Sequence, residues 1–160
     1  MSAQITLRPY RNDDCEAVVR LFYETIHSVN AKDYTQEQLS AWAPAEQDLA
    51  RWDNSLAAHD TIVAELEGEL VGFADMDGSG YFDRLYVHRN HQGKGIASLL
   101  AGELERQVLE RGVTRFITDA SITARPFFEH RGYRIVREQS VERNGVTMTN
   151  YRMEKNLSAK

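Results

Sequence analysis

Leu85-Tyr86-Val87-His88-Arg89-Asn90-His91-Gln92-Gly93-Lys94-Gly95-Ile96-Ala97-Ser98-Leu99-Leu100 is an apolar strand that passes through a short polar loop straight into an amphipathic helix. Two glycines stand two residues apart just before the helix. Such a loop can turn successive backbone N–H groups toward one point at the positive end of a helix, which makes an anion site suited to phosphate. Gly93 and Gly95 permit the dihedrals this requires and remove side chains that would block a pyrophosphate. The ligand class is therefore legible before any fold is assigned.

Two phosphate motifs fail here. A Walker A loop needs Gly, four residues and then Gly-Lys-Ser/Thr, which Gly93-Lys94-Gly95-Ile96 does not supply. A dinucleotide fingerprint needs a third Gly or Ala where Ser98 stands, and no parallel strand precedes the loop in the right arrangement. What remains is a turn with no ligand role or a different phosphate loop, written Q-x-x-G-x-A from Gln92 to Ala97.

The chain has 160 residues, 42% hydrophobic and 27% charged, which suits one domain spanning 1–160 that buries its own core. Met1 to Arg8 lacks a basic flank followed by an apolar run, so it does not read as a signal peptide, and no apolar stretch approaches the roughly 20 residues of a membrane span. The single Cys15 has no disulfide partner and no metal-ligand spacing, which points to a reducing cytoplasm and to no metal. A net charge of -5 argues against nucleic acid and agrees with a cationic amine as partner.

Working outward, Ile5–Leu7 reads as a first strand. Asp13 with Glu16 reads as a capping box before a helix striped by Cys15, Val18, Val19, Phe22 and Ile26. Thr35 with Gln38 is a second capping box, opening a helix through Leu39 and Trp42 that Pro44 stops, and Leu49, Trp52 and Leu56 suggest a further helical piece. Residues 61–66 and 70–76 form a hairpin around Gly68, and Asp77 to Gly80 is a turn into the strand Tyr81–Val87. After the loop, Ile96, Leu99, Leu100, Leu104 and Val108 stripe a helix that ends near Gly112. A short strand at 116–118 follows, then a helix from Thr123 to His130 with Pro126 in its first turn. Residues 133–141 and 146–153 close as a hairpin on Asn144-Gly145. The expected order is β-α-α-β-β-β-α-β-α-β-β, an α/β domain on a mixed, mostly antiparallel sheet flanked by helices.

The loop meets every position of [Q/R]-x-x-G-x-[G/A], the acyl-coenzyme A loop of the GNAT (Gcn5-related) N-acetyltransferases. A second segment, Ser121-Ile122-Thr123-Ala124-Arg125-Pro126-Phe127-Phe128-Glu129-His130-Arg131-Gly132-Tyr133, resembles that family's N-x-x-A-x-x-F-Y-E-x-x-G-F run. The chain resembles a GNAT acetyltransferase over nearly its whole length. Tyr34 and Trp42, with residues 118–124, are similar to the YafP-like branch.

The resemblance implies acetyl-coenzyme A as cofactor. Leu85 and Val87 would offer their backbone to its pantetheine arm, and the N–H groups of Gln92, Gly93, Gly95, Ile96 and Ala97 would hold the pyrophosphate. Lys94 would add a phosphate contact or simply face water, and Tyr86, Ser98 and Phe127 complete the implied cofactor set. The acceptor is a small-molecule or protein amine, with no nucleic acid or membrane partner, and the protein a monomer or homodimer.

An alkylamine has a pKa of about 10, so its proton must leave before attack. Strand alternation places Tyr81, Asp83, Leu85 and Val87 on one face, and Asp83 is the first candidate base; an ion pair with a nearby arginine is its structural alternative. Spacing from Gln92 puts the glutamate base of some family members at Tyr81, and His88 is a further candidate. The family's usual tyrosine acid falls at Phe128, which cannot donate a proton, so Ser121, Tyr133 or Tyr151 would have to substitute. Tyr34 and Trp42, with Trp52, are candidate walls of the substrate pocket. Direct transfer in a ternary complex is the expected mechanism. A non-catalytic acyl-coenzyme A-binding module, favoured by Phe128, and transfer of a longer acyl chain are the alternatives.

Overall fold

Turn chemistry and apolar periodicity put the elements close to where the sequence predicts them. The computed structural model describes residues 4–157. In chain order they are β1 (Ile5–Pro9), α1 (Cys15–Ser28), α2 (Gln36–Trp42), α3 (Leu49–Ala58), β2 (Asp60–Leu66), β3 (Glu69–Met76), β4 (Tyr81–Val87), α4 (Ile96–Glu110), β5 (Arg115–Ser121), α5 (Arg125–His130), β6 (Arg134–Arg143) and β7 (Val146–Asn156). The segment around Leu49, Trp52 and Leu56 is a full helix of 10 residues, capped by Asp48 accepting from the Arg51 N–H at 3.1 Å. Three helices therefore stand between β1 and β2.

Caps behave as local chemistry dictates, with one shift. Thr35 Oγ1 accepts from Gln38 N–H at 3.2 Å, and Gln38 Oε1 accepts from Thr35 N–H at 2.9 Å, the reciprocal box predicted for α2. At α1 the carboxylate that turns the chain is Asp14, accepting from Arg11 N–H at 2.8 Å, in place of Asp13. Asp14 outcompetes its neighbour because Arg8 also binds it, at 2.8 Å and 2.9 Å.

The seven strands form one sheet in the order β1-β2-β3-β4-β5-β7-β6. Every neighbouring pair is antiparallel except β4 and β5, which run parallel. Two cores result. On one face Ile96, Leu100, Leu104 and Val108 of α4 pack on Val71, Ala74, Phe82, Phe116 and Met153. On the other, Val18, Phe22 and Ile26 of α1 join Leu39, Leu56, Val63, Phe73 and Met148. Cys15 is buried on that α1 stripe, its Sγ 3.5 Å from the Leu49 carbonyl.

The β4–β5 pairing holds only at Tyr81 with Ile117 and Phe82 with Thr118. It starts from Gly80, whose carbonyl accepts from Ile117 N–H at 3.0 Å. Gly80 has φ +99°, and a Cβ there would collide with the Arg115 carbonyl and come within 2.9 Å of Val113 Cγ1. Gly80→Ala is accordingly expected to cost about 2–4 kcal/mol of stability, by backbone strain and a clash with main chain that cannot rotate away. Urea unfolding measures it; an unmoved midpoint would mean that the turn relaxes freely.

Candidate active site

Past Phe82 and Thr118 the two parallel strands have no further partners in each other, so β4 keeps a free edge from Asp83 to Val87. His88 N–H bonds the Val71 carbonyl at 2.8 Å, just beyond the Gly72–Val87 pair, and this sets the phase of the β3–β4 ladder. Tyr86 and Arg84 exchange bonds with β3, while Leu85 and Val87 turn their backbone groups to the free edge. The Val87 carbonyl accepts from Gln92 Nε2 at 2.6 Å, which ties the glycine loop to the end of the strand. A cleft of about 350 Å³ opens along this edge, walled by α1, α2 and α3 on one side and by β5 and α5 on the other.

At the head of the cleft Gly93 (φ +75°) and Gly95 (φ +80°) take left-handed conformations, and a Cβ on either would meet nothing within 4 Å. Gly95 caps α4 with no side-chain hydrogen bond, and the first turn carries no acidic residue. The N–H groups at the start of α4 are thus neither capped by a side chain nor offset by a carboxylate, and the loop leaves their approach open. Ile96 is buried beneath the loop, Ala97 lines the cleft and Ser98 is exposed on the first turn. Lys94 is exposed, its Nζ 3.2 Å from His91 Nδ1.

The face predicted for Tyr81, Asp83, Leu85 and Val87 is broken by a bulge. Asp75 pairs with Arg84 and Met76 with Phe82, so Asp83 is left over and shifts the alternation by one. Phe82, Leu85 and Val87 turn to the α4 core, while Tyr86 packs in the α1 core. Tyr81, on its own side of the bulge, donates its hydroxyl to Asp119 at 2.7 Å. Burial, reinforced by Asp119, pushes the Tyr81 pKa well up, so it stays protonated and bound. Tyr81 does not line the cleft.

Asp83 does line it. Its carboxylate lies 3.2 Å from Arg84 Nη2 and 3.9 Å from His59 Nδ1, and its side chain is 31% exposed. The arginine pair and the cleft position therefore occur together. Behind it the fully buried Asp75 binds His59 Nδ1 at 2.7 Å. That hydrogen bond raises the His59 pKa. Asp119, across the cleft, is held by Arg152 at 2.7 and 3.0 Å and by Gln139 at 2.9 Å. Burial opposes ionisation there, but the bonds from Arg152 and Tyr81 outweigh it and keep the carboxyl below its usual range.

The hydroxyl candidates separate cleanly. Phe128 is a core ring, edge-on to Phe82 at 5.4 Å and to Tyr133 at 5.0 Å. Tyr133 is buried and donates to Glu105 at 2.6 Å, on the far side of that core. The Tyr151 ring lies under the Arg125 guanidinium at 5.0 Å and does not line the cleft. Ser121 does line it; its Oγ accepts from Ala124 N–H at 3.0 Å and keeps its own proton to give. His88 turns its Nδ1 to the Asn90 N–H at 3.1 Å, a turn-capping role.

Trp42, Trp52 and Phe127 line the cleft. Tyr34 is corrected from pocket wall to strut: it is buried, donates to the Thr149 carbonyl at 2.7 Å and accepts from Ile122 N–H at 2.9 Å. Its phenol satisfies two backbone groups from distant segments, which a residue's place in a loop does not reveal. Among the residues of the cleft that the sequence did not single out, Arg84, Asp119 and Arg143 carry charge. Only Arg143 had a local signal, its position beside the Asn144-Gly145 turn.

Comparisons with known proteins place this frame of splayed parallel strands over an open helix start in a family. The family model for the acetyltransferase (GNAT) domain matches residues 30–155. The uncharacterized N-acetyltransferase YafP of Escherichia coli (strain K12) is 34% identical over 149 residues, 93% of this chain and 94% of that protein. A crystal structure of a GCN5-related N-acetyltransferase from Rhodopseudomonas palustris superposes with a TM-score of 0.93 at 35% identity, covering 98% of this chain and 99% of that one. The PaiA N-acetyltransferase of Thermoplasma acidophilum, in complex with coenzyme A, shares the fold with a TM-score of 0.78 at 17% identity over 96% of this chain and 99% of that one. The chain belongs to the GNAT acetyltransferase family and is an acyltransferase. No helix among the described residues is long and apolar enough to cross a membrane.

Proposed function

We propose that the protein is an acetyl-coenzyme A-dependent N-acetyltransferase that acts by direct transfer to a primary amine in a ternary complex. The observation that carries this is the free edge of β4 leading to the uncapped, acid-free N-terminus of α4. The complex of the Thermoplasma acidophilum relative with coenzyme A supports the ligand. The backbone of Leu85 and Val87 would pair with the pantetheine arm as an added strand, and the N–H groups of Gln92 to Ala97 would hold the pyrophosphate. Lys94 and Ser98, both exposed beside that point, add polar contacts, while Tyr86 and Phe127 bound the channel.

As co-substrate, acetyl-coenzyme A supplies the acetyl group as a thioester: its C–S bond breaks as the amine's C–N bond forms, and coenzyme A leaves as a thiolate. Asp83 takes the ammonium proton, directly or through water, which frees the lone pair for attack. The proton that the nitrogen sheds as the amide forms goes to the coenzyme A thiolate, which is released as the thiol. A backbone N–H on the free edge of β4 stabilises the charge that develops on the acyl oxygen. The Ser121 hydroxyl donates to the departing sulfur. A thiol of pKa about 8.5 is a good leaving group, so that donation assists and is not essential. Tyr81 positions Asp119, and Trp42 walls the acceptor end.

Calorimetric titration with acetyl-coenzyme A and coenzyme A, with ATP and NAD as controls, tests the reading. Micromolar binding confined to the coenzyme A species is expected. Absence of binding would remove the cofactor and the reaction with it.

A further inference from the structure

The acceptor end of the cleft holds cationic and hydroxyl groups that the acetyl transfer itself does not use. Tyr86 lines the cleft and its hydroxyl makes no hydrogen bond among the described residues, its ring held by Phe22 at 5.1 Å and Phe73 at 5.7 Å. Arg143 lines the same space and has no carboxylate partner among the described residues; its guanidinium stands 5.7 Å from the Trp42 ring. Asn144 fixes that arginine's place by bonding the Ala41 carbonyl at 2.6 Å, which pins the β6–β7 turn to α2. Arg84 stacks on Trp52 at 4.8 Å, and its Nη1 is buried without a hydrogen bond, 3.8 Å from Asp75. Burial pushes the Tyr86 hydroxyl pKa up; Arg143 and Arg84 pull it down while Asp83 and Asp75 push it up, so charges of both signs lie within electrostatic reach of it.

Asp83 and Asp75 already face Arg84 at 3.2 Å and 3.8 Å, so among these groups the Arg143 guanidinium and the Tyr86 phenol, which line one cleft, are the donors without an acceptor. A chain of net charge -5 has carboxylates to spare, yet none pairs with Arg143. The planar fork of arginine matches a carboxylate, and a phenol adds a third donor. Asp83 stands in the same cleft with the opposite charge.

We infer that the acceptor is a small zwitterion of the amino-acid type, whose carboxylate is held by Arg143 and Tyr86 while its ammonium faces Asp83. The inference rests on the N-acetyltransferase reading above. It replaces the simple cation that net charge suggests with a molecule carrying both signs.

The test is thiol release at saturating acetyl-coenzyme A with the protein amino acids, each beside its carboxamide and its decarboxylated amine. It is run on the parent protein, Arg143→Gln and Tyr86→Phe, each also titrated calorimetrically with coenzyme A. The acids are expected as substrates, with KM at least about tenfold below their carboxamides. Arg143→Gln should raise KM for the acid by about tenfold, change kcat by less than about twofold, and leave the carboxamide KM and coenzyme A affinity unmoved. The Tyr86 ring also bounds the cofactor channel, so Tyr86→Phe should raise KM for the acid about tenfold more than KM for the carboxamide. Preference for the carboxamide or the amine overturns the inference and leaves acetyl transfer standing. So do equal KM shifts for acid and carboxamide, weakened coenzyme A binding in Arg143→Gln, or coenzyme A binding with no acid acetylated. If coenzyme A does not bind the parent protein, the acetyl-transfer reading fails first.

Discussion

Gly95→Glu is expected to abolish coenzyme A binding while the protein stays folded. Gly95 sits at φ +80° as the cap of α4, and its Cα faces open space. A side chain there costs about 1 kcal/mol of left-handed strain, which a domain of this size tolerates. The glutamate, however, stands where the helix start concentrates partial positive charge and where the pyrophosphate would approach. Its carboxylate both fills the site and repels the ligand, so affinity should fall by at least about 100-fold, equivalent to about 2.7 kcal/mol. Calorimetry reads the loss, and circular dichroism checks that the cooperative melt survives. Unimpaired binding would mean that the loop is a turn with no phosphate to hold.

Asp83→Asn should separate chemistry from binding. The asparagine keeps the size of the side chain and leaves Arg84 a polar neighbour, but it cannot accept the amine's proton. A general base contributes about 10²- to 10⁴-fold, so turnover should drop by about 100-fold or more while coenzyme A affinity changes by less than about twofold. Unchanged turnover would assign the Asp83–Arg84 contact of 3.2 Å a purely structural role and move the base elsewhere in the cleft.

The fold and the cleft were legible to different depths. The glycine loop, both outer hairpins and the stripe on α4 were readable because each is a local pattern: φ-positive glycines, Asn-Gly at a turn, apolar residues at helical spacing. Tyr81–Val87 was placed to the residue, yet its faces were assigned wrongly. A single unpaired residue at Asp83 reverses the alternation on one side of itself, and nothing in the strand's own composition marks it. Tyr34 shows the same limit. Its partners, Thr149 and Ile122, are far away in the chain, so its aromatic ring could be read as pocket or core with equal right. Asp119 is one acid among many in the sequence, and only the fold brings Arg152, Tyr81 and Gln139 to it.

By itself the sequence determined an α/β domain with a glycine loop at Gln92 to Ala97 opening onto a helix, because loops, caps and periodicity are encoded within a few residues of where they act. Its two motifs carried the resemblance to the GNAT family. The tertiary structure alone decided where β4 and β5 part, which side of the sheet each β4 residue serves, and that Arg143, Tyr86, Arg84 and Asp83 all line one cleft. Those outcomes depend on how β4 and the last hairpin are placed within the sheet and against the helices. Their registers follow from packing the whole sheet against two helical layers, a global condition that no local stretch contains.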